Sequence, residues 1–76
     1  MQTEYPERYK MLGLKIAYYR KKAGLTQERF AEIIDKSVSF IAQVEGISTT
    51  RGVSLETLFK MADVLNISPD KLLSDD

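Results

Sequence analysis

The chain has no cysteine and no histidine, and these two absences remove much chemistry. Without thiols there is no disulfide framework and no thiolate zinc site. Without imidazole there is no histidine metal ligand, and no triad that needs Cys or His can form. Most small-domain enzymes are excluded on these grounds, so no enzyme activity, metal centre or cofactor is expected. Glu28 and Glu32 make a carboxylate pair on a helix face, but no nucleophile stands beside them. Long hydrophobic runs are missing too: nothing approaches the roughly 20 apolar residues of a membrane span. The N-terminal MQTEYPERYK lacks the apolar region of a signal peptide. A cytoplasmic protein without membrane contact is the expectation. There is no internal repeat, no low-complexity tract and no sustained period-two alternation, so nothing points to a sheet.

What is present is short and evenly charged. The 76 residues carry 11 cations and 11 acids, and a chain of this length must gather all its apolar side chains into one core. The expected organisation is a flexible N-terminal segment over residues 1–6 and one domain over 7–76. The charge is unevenly spread. Residues 1–25 contain Arg8, Lys10, Lys15, Arg20, Lys21 and Lys22 against Glu4 and Glu7, a net +4, and the remainder, which ends in Asp75 and Asp76, balances it at −4. Such a distribution fits either an anionic partner at one end or ordinary solvated helix faces.

Periodicity and capping residues divide the chain into five helices. Leu12, Ile16 and Tyr19 recur at helical spacing, predicting a helix over 7–22 that stops at Gly24. Thr26 is an N-cap for a helix over 27–34, whose apolar residues are Phe30, Ala31 and Ile34. Asp35 and Lys36 interrupt the pattern, and Ser37 caps a third helix over 38–45 with Ile41 and Val44 on one face. The polar, β-branched segment after Gly46 reads as a loop. Ser54 then caps a helix bearing the clearest apolar stripe, Leu55, Leu58, Met61, Ala62 and Leu65, which ends at Asn66. Ser68-Pro69-Asp70 presents an N-cap, a first-turn proline and an acid for a last short helix docked by Leu72 and Leu73. The fold class is all-α, a five-helix bundle in which short helices gain stability from a shared core.

Leu12-Gly13, Ile16, the run from Arg20 to Gln27, Phe30-Ala31, Ser37 to Glu45 and SLETLFKMADVLNISPDKLL resemble, taken together, the Cro/C1-type (XRE-like) helix-turn-helix family. The resemblance covers about residues 12–73 and implies a bundle of the lambda-repressor-like DNA-binding type, with helices two and three as the helix-turn-helix. Two helices meeting steeply need a small residue where they approach, and Ala31 suits that place. By resemblance, Ser37, Val38, Ser39 and Gln43 match positions that reach base edges in the major groove, and Gln27 matches a contact to the DNA backbone. Arg20 and Glu45 match a largely buried structural salt bridge. The chemistry is compatible with those roles. Gln43 can pair in bidentate fashion with adenine and Val38 can pack on a thymine methyl. Gln27 stands at a helix start, where unpaired N–H groups favour an anion. Ordinary roles compete: Ser37 as a cap, Ser39 and Gln43 as solvated surface.

Three departures from the family pattern affect what is expected. Asp35 stands where the turn usually has glycine, so the turn is either shifted or strained. Lys36 occupies a commonly apolar position, where its stem can cover the core. The loop GISTTRGV is about two residues longer than usual, lacks a proline and has Arg51 as its only cation. Lys36, Thr49, Thr50 and Arg51 are the expected backbone contacts, a thin set for a ligand whose affinity rests on phosphate neutralisation.

A homodimer reading a palindromic double-stranded operator offsets that weakness by doubling the contacts. Phe59, Val64, Ile67 and Leu73 are its candidate interface, against the alternative that they cap the monomer core. Leu14 and Tyr18, with Tyr5 and Tyr9 upstream, form a second apolar patch. The expected function is sequence-specific DNA binding by a small transcriptional repressor or regulator. The alternative is a protein-interaction module on the same scaffold, such as an antitoxin-like partner, which the neutral net charge favours.

Overall fold

The computed structural model describes residues 3–46 and 50–74. Five helices follow in order: α1 (Pro6–Lys22), α2 (Gln27–Ile33), α3 (Val38–Glu45), α4 (Leu55–Leu65) and α5 (Asp70–Leu73), and no strand occurs among the described residues. Helix α1 takes in Pro6, whose fixed φ and missing N–H suit a first helical position. Three of the expected caps form. The hydroxyls of Thr26, Ser37 and Ser54 accept from the backbone N–H groups of Arg29, Phe40 and Thr57 at 3.0, 3.0 and 3.1 Å. Helix α5 differs from expectation. The Ser68 hydroxyl donates to the Asp70 carboxylate, a stronger acceptor, and α5 has no side-chain cap.

Three helices end in the same way. Gly24, Asp35 and Asn66 take left-handed φ values of 77°, 60° and 58°. In each case the following residue donates back to the carbonyl five positions earlier: Leu25 to Arg20, Lys36 to Ala31 and Ile67 to Ala62, at 3.1, 2.8 and 3.0 Å. Asp35 therefore adopts the glycine-like conformation itself, and the turn between α2 and α3 is not shifted. Lys36 follows the left-handed residue, where such terminations commonly place an apolar side chain, and it is exposed.

Ile16, Phe30, Ala31, Ile34, Ile41, Val44, Leu58, Met61, Ala62 and Leu72 are buried in one cluster drawn from all five helices. The apolar stripe of α4 is narrower than its sequence suggests. Leu55 is 65% exposed, because it is the first residue of α4 and lies at the margin of the core. Gly13 was not singled out for packing from the sequence, yet it fixes how close α1 comes to α3: a Cβ there would lie 2.1 Å from the Val44 carbonyl oxygen. Ala31 is buried as expected. Among the described residues no helix is long and apolar enough to cross a membrane.

Candidate nucleic-acid interface

The angle between α2 and α3 is held by a polar group that is almost wholly buried. Arg20, near the end of α1, donates through Nε to Glu45 Oε2 at 2.7 Å and through Nη2 to Glu45 Oε1 at 3.0 Å. Its Nη1 donates to the Leu25 carbonyl at 2.7 Å. The Arg20 and Glu45 side chains are 8% and 6% exposed. Gln27, at the start of α2, adds a third bond by donating from Nε2 to Glu45 Oε1 at 3.0 Å. One carboxylate at the end of α3 thus collects the end of α1 and the start of α2, and the bidentate geometry fixes direction as well as distance.

With that anchor in place, α3 turns Ile41 and Val44 inward and leaves Val38, Ser39, Ala42 and Gln43 exposed. Ser37 precedes them as the exposed cap of the helix. The expected base-contacting residues therefore share one short helix and its cap, an arrangement that fits the width of a major groove. Gln27 is half-buried with its amide nitrogen engaged by Glu45, so its first role is internal.

The expected backbone contacts divide. Thr49 lies outside the described residues, whereas Lys36 and Arg51 are brought together. Lys36 Nζ stands 5.5 Å and the Arg51 guanidinium carbon 5.1 Å from the centroid of the Phe40 ring. Phe40 is half-buried and packs against the core, so one aromatic ring on α3 holds both cations beside the exposed face. Thr50 is half-buried next to Arg51. Phe40 was not identified from the sequence as a site residue. Its signal was an aromatic residue on α3 one helical turn from the basic Lys36, but the partner Arg51 lies in the loop between α3 and α4.

The four candidate dimer residues differ in exposure. Phe59 and Leu73 are 50% and 59% exposed, whereas Val64 and Ile67 are half-buried against the core. On the outer side of α1, Tyr5, Leu14 and Tyr18 are exposed, and Tyr9 packs against the core.

A capped two-turn helix locked at a fixed angle to a second one, inside a five-helix bundle, defines the helix-turn-helix class of DNA-binding domain. The chain matches the helix-turn-helix family model over residues 16–72, and it belongs to that family, in its Cro/C1-type branch of transcriptional regulators. It is 42% identical over 60 residues, 79% of this chain and 84% of the relative, to YazB of Bacillus subtilis (strain 168), an uncharacterised HTH-type transcriptional regulator. Among solved structures it is similar to the restriction-modification controller protein C.AhdI from Aeromonas hydrophila. That match has a TM-score of 0.81 and 28% identity, over 92% of this chain and 99% of that one. A hypothetical transcription factor, NHTF, from Neisseria shares the fold, with a TM-score of 0.79 and 20% identity over 97% of this chain and 83% of that one.

Proposed function

We propose that the protein is a homodimeric transcriptional regulator, acting as a repressor, that inserts α3 into the major groove of a palindromic operator. One observation carries this reading. The buried Arg20–Glu45–Gln27 group fixes α3 so that Val38, Ser39, Ala42 and Gln43 face outward. Ser37, Val38, Ser39 and Gln43 read base edges, Gln43 favouring adenine and Val38 a thymine methyl. Lys36 and Arg51, gathered on Phe40, meet phosphates beside that contact, with Thr50 and the start of α2 adding neutral contacts. Few cations serve each half-site, so each monomer binds modestly. Two linked half-sites about one helical turn apart supply the remaining affinity. Phe59 of α4 is the exposed apolar residue from which the dimer contact is built.

The test is selection of bound sequences from a random double-stranded pool at physiological salt. Recovery of an inverted repeat, with half-sites about 10 base pairs apart, supports the reading. A folded protein that enriches no motif refutes it and leaves the scaffold as a protein-interaction module.

A further inference from the structure

A cleft of about 310 Å³ opens between the first turns of α1, the start of α4 and α5, on surface not assigned to DNA. Its floor is apolar and buried, formed by Leu12, Leu58 and Leu72. Its rim is apolar and exposed: Tyr5, Met11, Leu55 and Leu73 are all among the exposed large hydrophobic residues of the fold. Arg8 is the one charged residue in the lining among the described residues. Its guanidinium rests 5.9 Å above the Tyr5 ring and makes no ion pair among the described residues. Its neighbour Glu7 faces Lys10 instead, at 3.7 Å.

We infer that this cleft binds a small aliphatic molecule carrying one negative charge, of the carboxylate class, with its chain on the leucine floor and its head group at Arg8. The volume lies at the lower end of the roughly 300–1,000 Å³ usual for ligand pockets, which are mostly apolar with a few polar groups that orient the ligand. Charge selects the class. A lone cation at the mouth of an apolar cleft attracts an anionic head group and repels a cationic one, and an alcohol of equal length gains the apolar contacts alone. Val53 also lines the cleft, just after Arg51 in the chain, so an occupant braces the segment that carries this phosphate-facing cation. Binding itself does not rest on the DNA reading.

The experiment is an NMR titration of the full chain with decanoate, decanol and decyltrimethylammonium in parallel. Decanoate is expected to shift the signals of Leu12, Leu58 and Leu72 in a saturable way and to bind about three- to fivefold more tightly than decanol, the scale of one exposed charge pair. Arg8→Gln, an exposed change that leaves the core intact, is expected to remove that advantage and leave decanol unchanged. Equal affinity for decanoate and decanol, preference for the cationic amphiphile, or shifts confined to other surfaces each overturn the inference. So does a concentration-dependent dimer that masks the cleft and is abolished by Leu73→Asp, which assigns the surface to a second copy of the chain.

Discussion

Replacing Arg20 by alanine removes the centre of the buried polar group, and the cost can be worked from its contacts. The substitution deletes the two bonds to Glu45 and the one to the Leu25 carbonyl, leaving a carboxylate 6% exposed with Gln27 as its one side-chain donor among the described residues. Breaking a buried pair from one side costs about 3–5 kcal/mol, because the surviving charge is uncompensated. A domain of this length holds roughly 4–11 kcal/mol in total at typical stability per residue. Arg20→Ala is therefore expected to remove a large share of the stability, and the midpoint of thermal unfolding should fall by more than about 12 °C at the usual 4–8 °C per kcal/mol. Urea unfolding followed by far-UV circular dichroism measures the loss directly. The double variant Arg20→Met, Glu45→Leu removes both charges and should recover most of it, since paired apolar replacements are often neutral or stabilising. A loss below roughly 1 kcal/mol for Arg20→Ala, the scale of a surface pair, would refute the claim that this group sets the helix angle.

Three further outcomes follow from local geometry. Gly13→Ala should destabilise the fold by at least about 1 kcal/mol in urea unfolding, even though alanine favours a helix by about the same amount, because the new Cβ meets the Val44 carbonyl oxygen and drives α1 from α3. Asp35→Gly should stabilise by about 0.5–1 kcal/mol, since glycine relieves the left-handed φ of 60° and the Asp35 carboxylate has no partner among the described residues; calorimetry reads this as a higher melting midpoint. Phe40→Leu keeps an apolar residue against the core but removes the ring shared by Lys36 and Arg51. It should weaken DNA binding about equally across sequences and flatten the dependence on salt, by up to about one unit of slope for each cation lost.

The elements visible in the sequence were those that local rules specify. Thr26, Ser37 and Ser54 announce helix starts by their side-chain oxygens, Gly24 and Asn66 announce ends, and the spacing of Phe30, Ile34, Ile41 and Val44 marks inward faces. Features that depend on the approach of distant segments were not legible. Gly13 falls inside the helix expected over 7–22 with no local signal of a packing role, which appears only when α3 lies across it. Phe40 gains its second cation from Arg51, within the loop that follows α3. Leu55 fits the α4 stripe by spacing, yet the core ends before it. The Arg20–Glu45 pair was legible through family resemblance, not through charge spacing, since the two residues lie 25 positions apart. For the dimer residues the periodicity is ambiguous, because half-buried Val64 and Ile67 serve the monomer core whether or not a partner docks.

The division between a scaffold and a reading face is tested most directly by base-resolved specificity profiles of Gln43→Ala and Arg51→Ala measured beside the wild type on the selected operator. Gln43→Ala should lose about 1–3 kcal/mol of discrimination at a single base pair in each half-site while its salt dependence is unchanged. Arg51→Ala should keep every base preference and bind less tightly, with a salt slope smaller by about one. If Gln43→Ala leaves the profile intact, or if Arg51→Ala changes base preference, α3 does not read DNA in the orientation proposed.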